Sequence, residues 1–136
     1  MEITFKFLSS SYPMQGDLLA DIIQMQHRGV GWKLGGLSPD QGFDSPSFVA
    51  YILDKRGLLN ASASSVRYRL QQVLPATNQP RIGDVVFYPY GYTMFYFADY
   101  AGKPFVVGMT LLGILTLEKD FAGPVEGYGT VRYSDR

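Results

Sequence analysis

The 136-residue chain contains no cysteine, one histidine and one tryptophan, and its 12 basic residues are matched by 12 acidic ones. Without cysteine there is no disulfide framework, no thiolate nucleophile and no thiolate metal site. His27, the one histidine, has no second imidazole with which to share a metal, and no metal or cofactor is expected. A formal net charge of zero gives no electrostatic reason to bind nucleic acid or an anionic membrane. It also leaves copies of the chain free of mutual repulsion, which allows a homo-oligomer. No apolar run approaches the roughly 18 residues of a membrane span. Glycine-rich phosphate loops ending in Lys-Ser/Thr and dinucleotide fingerprints are absent as well. Residues Met1 to Leu8 lack a basic start followed by a long apolar stretch, so the chain as it stands reads as cytoplasmic rather than led by a secretory signal.

Aromatic residues are plentiful, with ten Tyr and nine Phe. A chain of this length buries about two-thirds of its unfolded surface and needs no staple, so residues 1–136 are expected to form a single domain. Ile3, Phe5 and Phe7 alternate with Glu2, Thr4 and Lys6, the pattern of a half-buried strand. Asp17 is a candidate cap for a helix running to about Arg28, with Leu18, Leu19, Ile22, Ile23 and Met25 or Gln26 near one stripe and Gly29 as its end. His27 falls in the last turn, where an imidazole interacts well with exposed carbonyls.

Residues 30–44 form a glycine-rich loop. Asp44 or Ser45 then caps a second helix, and Pro46 suits its first position, where a missing N–H costs nothing. Phe48, Val49, Tyr51, Ile52 and Leu53 give that helix a broad apolar face, and Gly57 stops it just past Lys55 and Arg56. Ala61 to Ser65 favours a turn, and Val66, Leu70 and Val73 suggest a short helix. Pro80-Arg81-Ile82-Gly83-Asp84 opens a β half with strands expected over 85–88, 92–99, 104–109, 114–118 and 129–133. The class is therefore α+β, with N-terminal helices packed on an antiparallel sheet of about five strands. From Phe87 to Phe97 aromatic residues fall on both parities, so both faces of this part of the sheet must be covered, or one must be presented as a cleft or contact surface.

In this order the Gly35-Gly36 turn, Gly42-Phe43-Asp44 with its following helix, and Ile82-Gly83-Asp84-Val85-Val86-Phe87-Tyr88 resemble the NlpC-type cell-wall peptidases, a papain-like family of cysteine endopeptidases. The resemblance covers roughly residues 17–118 and implies a papain-like fold. It places the family's cysteine at Ser45, its histidine near Thr93 and the residue that orients the histidine near Gly108, so all three catalytic positions are degenerate. It puts Trp32 and Leu34 where the family has Tyr and Trp before its paired glycines. Asp44 matches an aspartate with which many members hold the free amine of a cell-wall peptide, and it is equally suited to a helix N-terminus. Pro46 and Ser47 replace the family's Ser-Gly. Members are often exported, which would place the chain outside the cytoplasm.

A helix-start hydroxyl needs an adjacent base before it can attack, and no histidine follows His27. The expectation is a non-catalytic pseudo-peptidase that binds a cell-wall-type peptide or a protein partner, with Trp32, Asp44 and Ser45 as candidate ligand-binding residues. One alternative is a serine hydrolase in which Ser45 is activated by an unconventional base such as His27. A third reading is a structural or assembly subunit. An engineered replacement of cysteine at Ser45 would explain that residue but not the missing histidine.

Overall fold

A computed structural model describes residues 16–55 and 66–132. The predicted strand at 3–8, the helix stop at Arg56 and Gly57, the turn at Ala61 to Ser65, and Tyr133 lie outside the described residues. Among the described residues three α-helices, α1 (Gly16–His27), α2 (Ser45–Lys55) and α3 (Val66–Val73), precede the β elements. The strands are β1 (Ala76–Thr77), β2 (Val85–Phe87), β3 (Thr93–Tyr100), β4 (Lys103–Thr110), β5 (Gly113–Glu118) and β6 (Gly127–Gly129). They form one antiparallel sheet of six strands in the order β1-β6-β2-β3-β4-β5. The α+β class and the antiparallel sheet are thus as expected, with one strand more than anticipated.

The extra strand and the early end of the last one share a cause. After β6 the Thr130 N–H donates to the Pro75 carbonyl at 2.8 Å, and the Val131 N–H donates to the Asp84 carboxylate at 3.0 Å. Thr130 is still in register with Pro75, which has no N–H to return, and Val131 bonds to a side chain instead, so the regular ladder ends at Gly129. Asp84 is fully buried and also accepts the Arg81 N–H at 2.7 Å and the Thr130 hydroxyl at 3.3 Å. The aspartate of the Ile82-Gly83-Asp84 turn thereby ties the C-terminal segment to the entrance of β2. A buried carboxylate is tolerated only when donors satisfy it in this way.

Helix α2 packs against β3 and β4, while α1 packs against β5 and α2. The side-chain amide of Gln26 donates to the Ile114 carbonyl at 3.0 Å, which fixes the end of α1 to β5. On the helical side, Leu18, Ile22, Phe48, Ile52 and Leu53 meet Val85, Phe87, Phe95, Phe97, Phe105, Val107 and Met109 in one core. Each fully buried side chain of this size contributes about 1.5–3 kcal/mol.

Val86, Tyr88, Met94 and Val106 point to the other face, where Phe121, Ala122 and Val125 of the β5–β6 connection cover them. Phe121 packs edge-on against Tyr88 and Tyr92, with centroids 5.2 and 5.6 Å away. Aromatics on both parities between Phe87 and Phe97 are explained by this double cover. Burial pushes the Tyr88 phenol far above its ordinary range, with Tyr128 and Asp120 adding to the effect. Its hydroxyl donates to the Lys119 carbonyl.

Candidate functional site

The loop before α2 doubles back on itself. The Phe43 N–H donates to the Gly31 carbonyl and the Lys33 N–H to the Phe43 carbonyl, both at 3.0 Å, so Trp32 and Phe43 lie side by side. The two adjacent glycines serve different needs. Gly35 takes a φ of 70° in a turn closed by the Gly36 N–H on the Lys33 carbonyl, a conformation costly for any residue with a Cβ. Gly36 is buried, and a Cβ there would run into the Gly42 carbonyl.

Asp44 joins this turn to the helix. One carboxylate oxygen accepts the Gly35 N–H at 2.9 Å, and the other accepts the Ser47 N–H, also at 2.9 Å. The Asp44 N–H donates in return to the Ser47 hydroxyl at 3.1 Å, and the Asp44 carbonyl accepts the first intrahelical bond, from Phe48. This reciprocal arrangement is a capping box. Asp44, one of the two anticipated caps, is therefore the cap and Ser45 the first helical residue, which makes Pro46 the second helical residue instead of the first. Ser47, which stands where the resemblance expects glycine, completes the cap.

Ser45 is 5% exposed, and its hydroxyl contacts the start of β3. Its Oγ accepts the buried Thr93 N–H at 3.0 Å and donates to the Gly91 carbonyl over a longer 3.4 Å. The Thr93 hydroxyl points to the same carbonyl at 3.5 Å. The positions anticipated for nucleophile and histidine are thus in direct contact, but through a backbone amide. Among the described residues, the partners of the Ser45 hydroxyl are backbone groups, and the exposed His27 at the end of α1 is not one of them.

Gly108 does not join this pair. The register sets Phe95 opposite Val107, so Gly108 falls under Met94 on the far face of the sheet, where a Cβ would come within 2.6 Å of the Met94 sulfur. On the face that carries Thr93, β4 offers Val107 and Met109, both buried in the helical core. Neither can orient an imidazole.

A cleft of about 360 Å³ opens beside Ser45, lined by Trp32, Leu34, Asp44, Ser45, Pro46, Gly91, Tyr92 and Leu111. All three residues anticipated for ligand binding border it. Leu111 and Gly91 were not anticipated, because they reach the cleft only through the β3–β4–β5 topology. The pattern Thr110-Leu111-Leu112-Gly113, two leucines between a hydroxyl residue and a glycine, was the available signal for a tight turn. Apolar side chains dominate the walls, and Asp44 is the one carboxylate in the lining. Among the described residues, no group of three or more His, Cys, Asp or Glu could hold a metal ion, and no helix is long and apolar enough to cross a membrane. No protein-family model matches the chain, and no curated protein matches it either.

Proposed function

We propose that the chain is a non-catalytic pseudo-peptidase of NlpC-like, papain-type fold, which acts by binding a peptide of the cell-wall type in the cleft beside Ser45. One observation carries this reading: the Ser45 hydroxyl, at the nucleophile position, receives the N–H of Thr93, at the histidine position, with 3.0 Å between them. Helices laid on an antiparallel sheet, with a helix start abutting a strand start, support the fold assignment. A hydroxyl held by backbone groups lacks the proton acceptor that hydrolysis requires. What the cleft offers is binding surface: the rings of Trp32 and Tyr92, the leucines 34 and 111, and the Asp44 carboxylate as the site for a free amine.

Trp32 is the only tryptophan and is 41% exposed, so its emission reports directly on the cleft. Titration with a short cell-wall-type peptide bearing a free amine is expected to change that emission saturably, with the peptide recovered intact by mass spectrometry. Absence of any response, or turnover that disappears in Ser45→Ala, would overturn the reading.

A further inference from the structure

The β4–β5 hairpin closes through Thr110 and Gly113, leaving Leu111 and Leu112 at its tip, 66% and 86% exposed. This tip is held firmly. The Thr110 hydroxyl accepts the Leu112 N–H at 3.1 Å and donates to the Gly113 carbonyl at 2.8 Å. Two of the largest exposed apolar side chains are thus displayed on a pre-organised turn. Leu111 borders the cleft, which is also lined by Trp32, 41% exposed, and Leu34, 75% exposed.

We infer that the chain pairs with a second copy of itself, the Leu111-Leu112 tip of each protomer seating in the cleft of the other about a two-fold axis. A protruding apolar knob and an apolar hollow lie next to each other on one face. An isologous contact requires this juxtaposition, because each residue must meet the partner of its own counterpart. A different protein would need to find only a knob or only a hollow.

The area agrees. From their exposed fractions, Trp32, Leu34, Leu111 and Leu112 present roughly 500 Å² of surface, of which roughly 400 Å² is apolar. A standard interface covers about 800 Å² per partner, a little over half of it apolar, or roughly 450 Å². The patch is therefore about the size that one half of a stable dimer needs. A formal net charge of zero adds no repulsion between copies. The pairing stands apart from the peptide reading but uses the same cleft, so peptide and second copy compete, and a bound peptide dissociates the dimer.

Sedimentation equilibrium over a concentration series is the test, with Trp32 emission followed on the same samples. The wild-type weight-average mass is expected to rise from one chain toward two, with a blue shift of the emission as Trp32 leaves water. Leu112→Ser, altering a side chain exposed on the tip and outside the cleft lining, is expected to weaken pairing at least about a hundredfold, since the contact is lost twice by symmetry. Leu34→Ser, in the cleft lining, is expected to do the same. A wild type that stays monomeric up to about 1 mM, or that stays monomeric and instead binds phospholipid vesicles, would overturn the pairing. So would an unchanged dimer in both variants. Leu112→Ser retains the peptide cleft, so its Trp32 response to peptide separates failure of the pairing from failure of the binding reading.

Discussion

Replacing Ser45 by alanine distinguishes a hydroxyl that supports the structure from one held ready for chemistry. The buried Thr93 N–H donates to Ser45 Oγ at 3.0 Å, and removing the oxygen orphans that donor. An unsatisfied buried N–H costs about 1–3 kcal/mol. The weak bond to Gly91 at 3.4 Å adds little, and alanine recovers a few tenths of a kcal/mol through helix propensity. Because Ser45 borders the cleft, water can reach part of the vacated space, which keeps the cost toward the lower end, about 1–2 kcal/mol. With a urea m-value of about 2 kcal/mol/M, the unfolding midpoint followed by far-UV circular dichroism should fall by roughly 0.5–1 M at unchanged m. A midpoint that stays put or rises would refute the structural role, because residues kept for catalysis commonly cost stability and their removal restores it.

Other perturbations test the rest of the fold. Asp84→Ala removes the acceptor of the Arg81 and Val131 N–H groups and of the Thr130 hydroxyl; a loss of about 3 kcal/mol or more is expected, lowering Tm by roughly 12 °C in a scanning calorimeter. Ala101 and Gly102 both have positive φ, 53° and 80°, between paired Tyr100 and Lys103. That is the turn Asn-Gly favours, so Ala101→Asn should raise stability by about 0.5–1 kcal/mol in urea titration. The Tyr88 phenol is pushed up by burial, so the native state holds its proton after the unfolded state has lost its own. Stability contributed by Tyr88 is therefore complete below about pH 10 and declines as pH rises above it. In an absorbance titration, one tyrosine should ionise only as the protein unfolds, and Tyr88→Phe should flatten the alkaline decline.

Much of the order of helices followed by strands was legible because the local signals agree with one another. The period of Leu18, Ile22 and Met25 and the alternation of Phe95 and Phe97 against Met94 and Tyr96 report directly which side chains face the core. The α2 start was readable from Asp44 to Ser47, and of the two candidate caps it is Asp44 whose carbonyl accepts the first helical bond, which moves Pro46 to the second helical position. Strands β1 and β6 were misjudged for a different reason. Their limits are set by the long-range bonds of Thr130 and Val131 to Pro75 and Asp84, which no local pattern carries. The site divides the same way. Trp32, Asp44 and Ser45 were visible near one another in the chain, whereas Leu111 and the Gly91 carbonyl enter through strand pairing. Gly108, the position that the resemblance gives for the orienting residue, lies on the sheet face opposite Thr93, because successive strand residues alternate between faces.

Labelling with a fluorophosphonate that captures activated serine probes the central claim most directly. Intact protein mass spectrometry should find the wild type unmodified, with the same negligible background in Ser45→Ala, because the Ser45 hydroxyl rests between a backbone amide and a backbone carbonyl. Stoichiometric labelling confined to Ser45 and abolished by Ser45→Ala would contradict the account and make this cleft an active site.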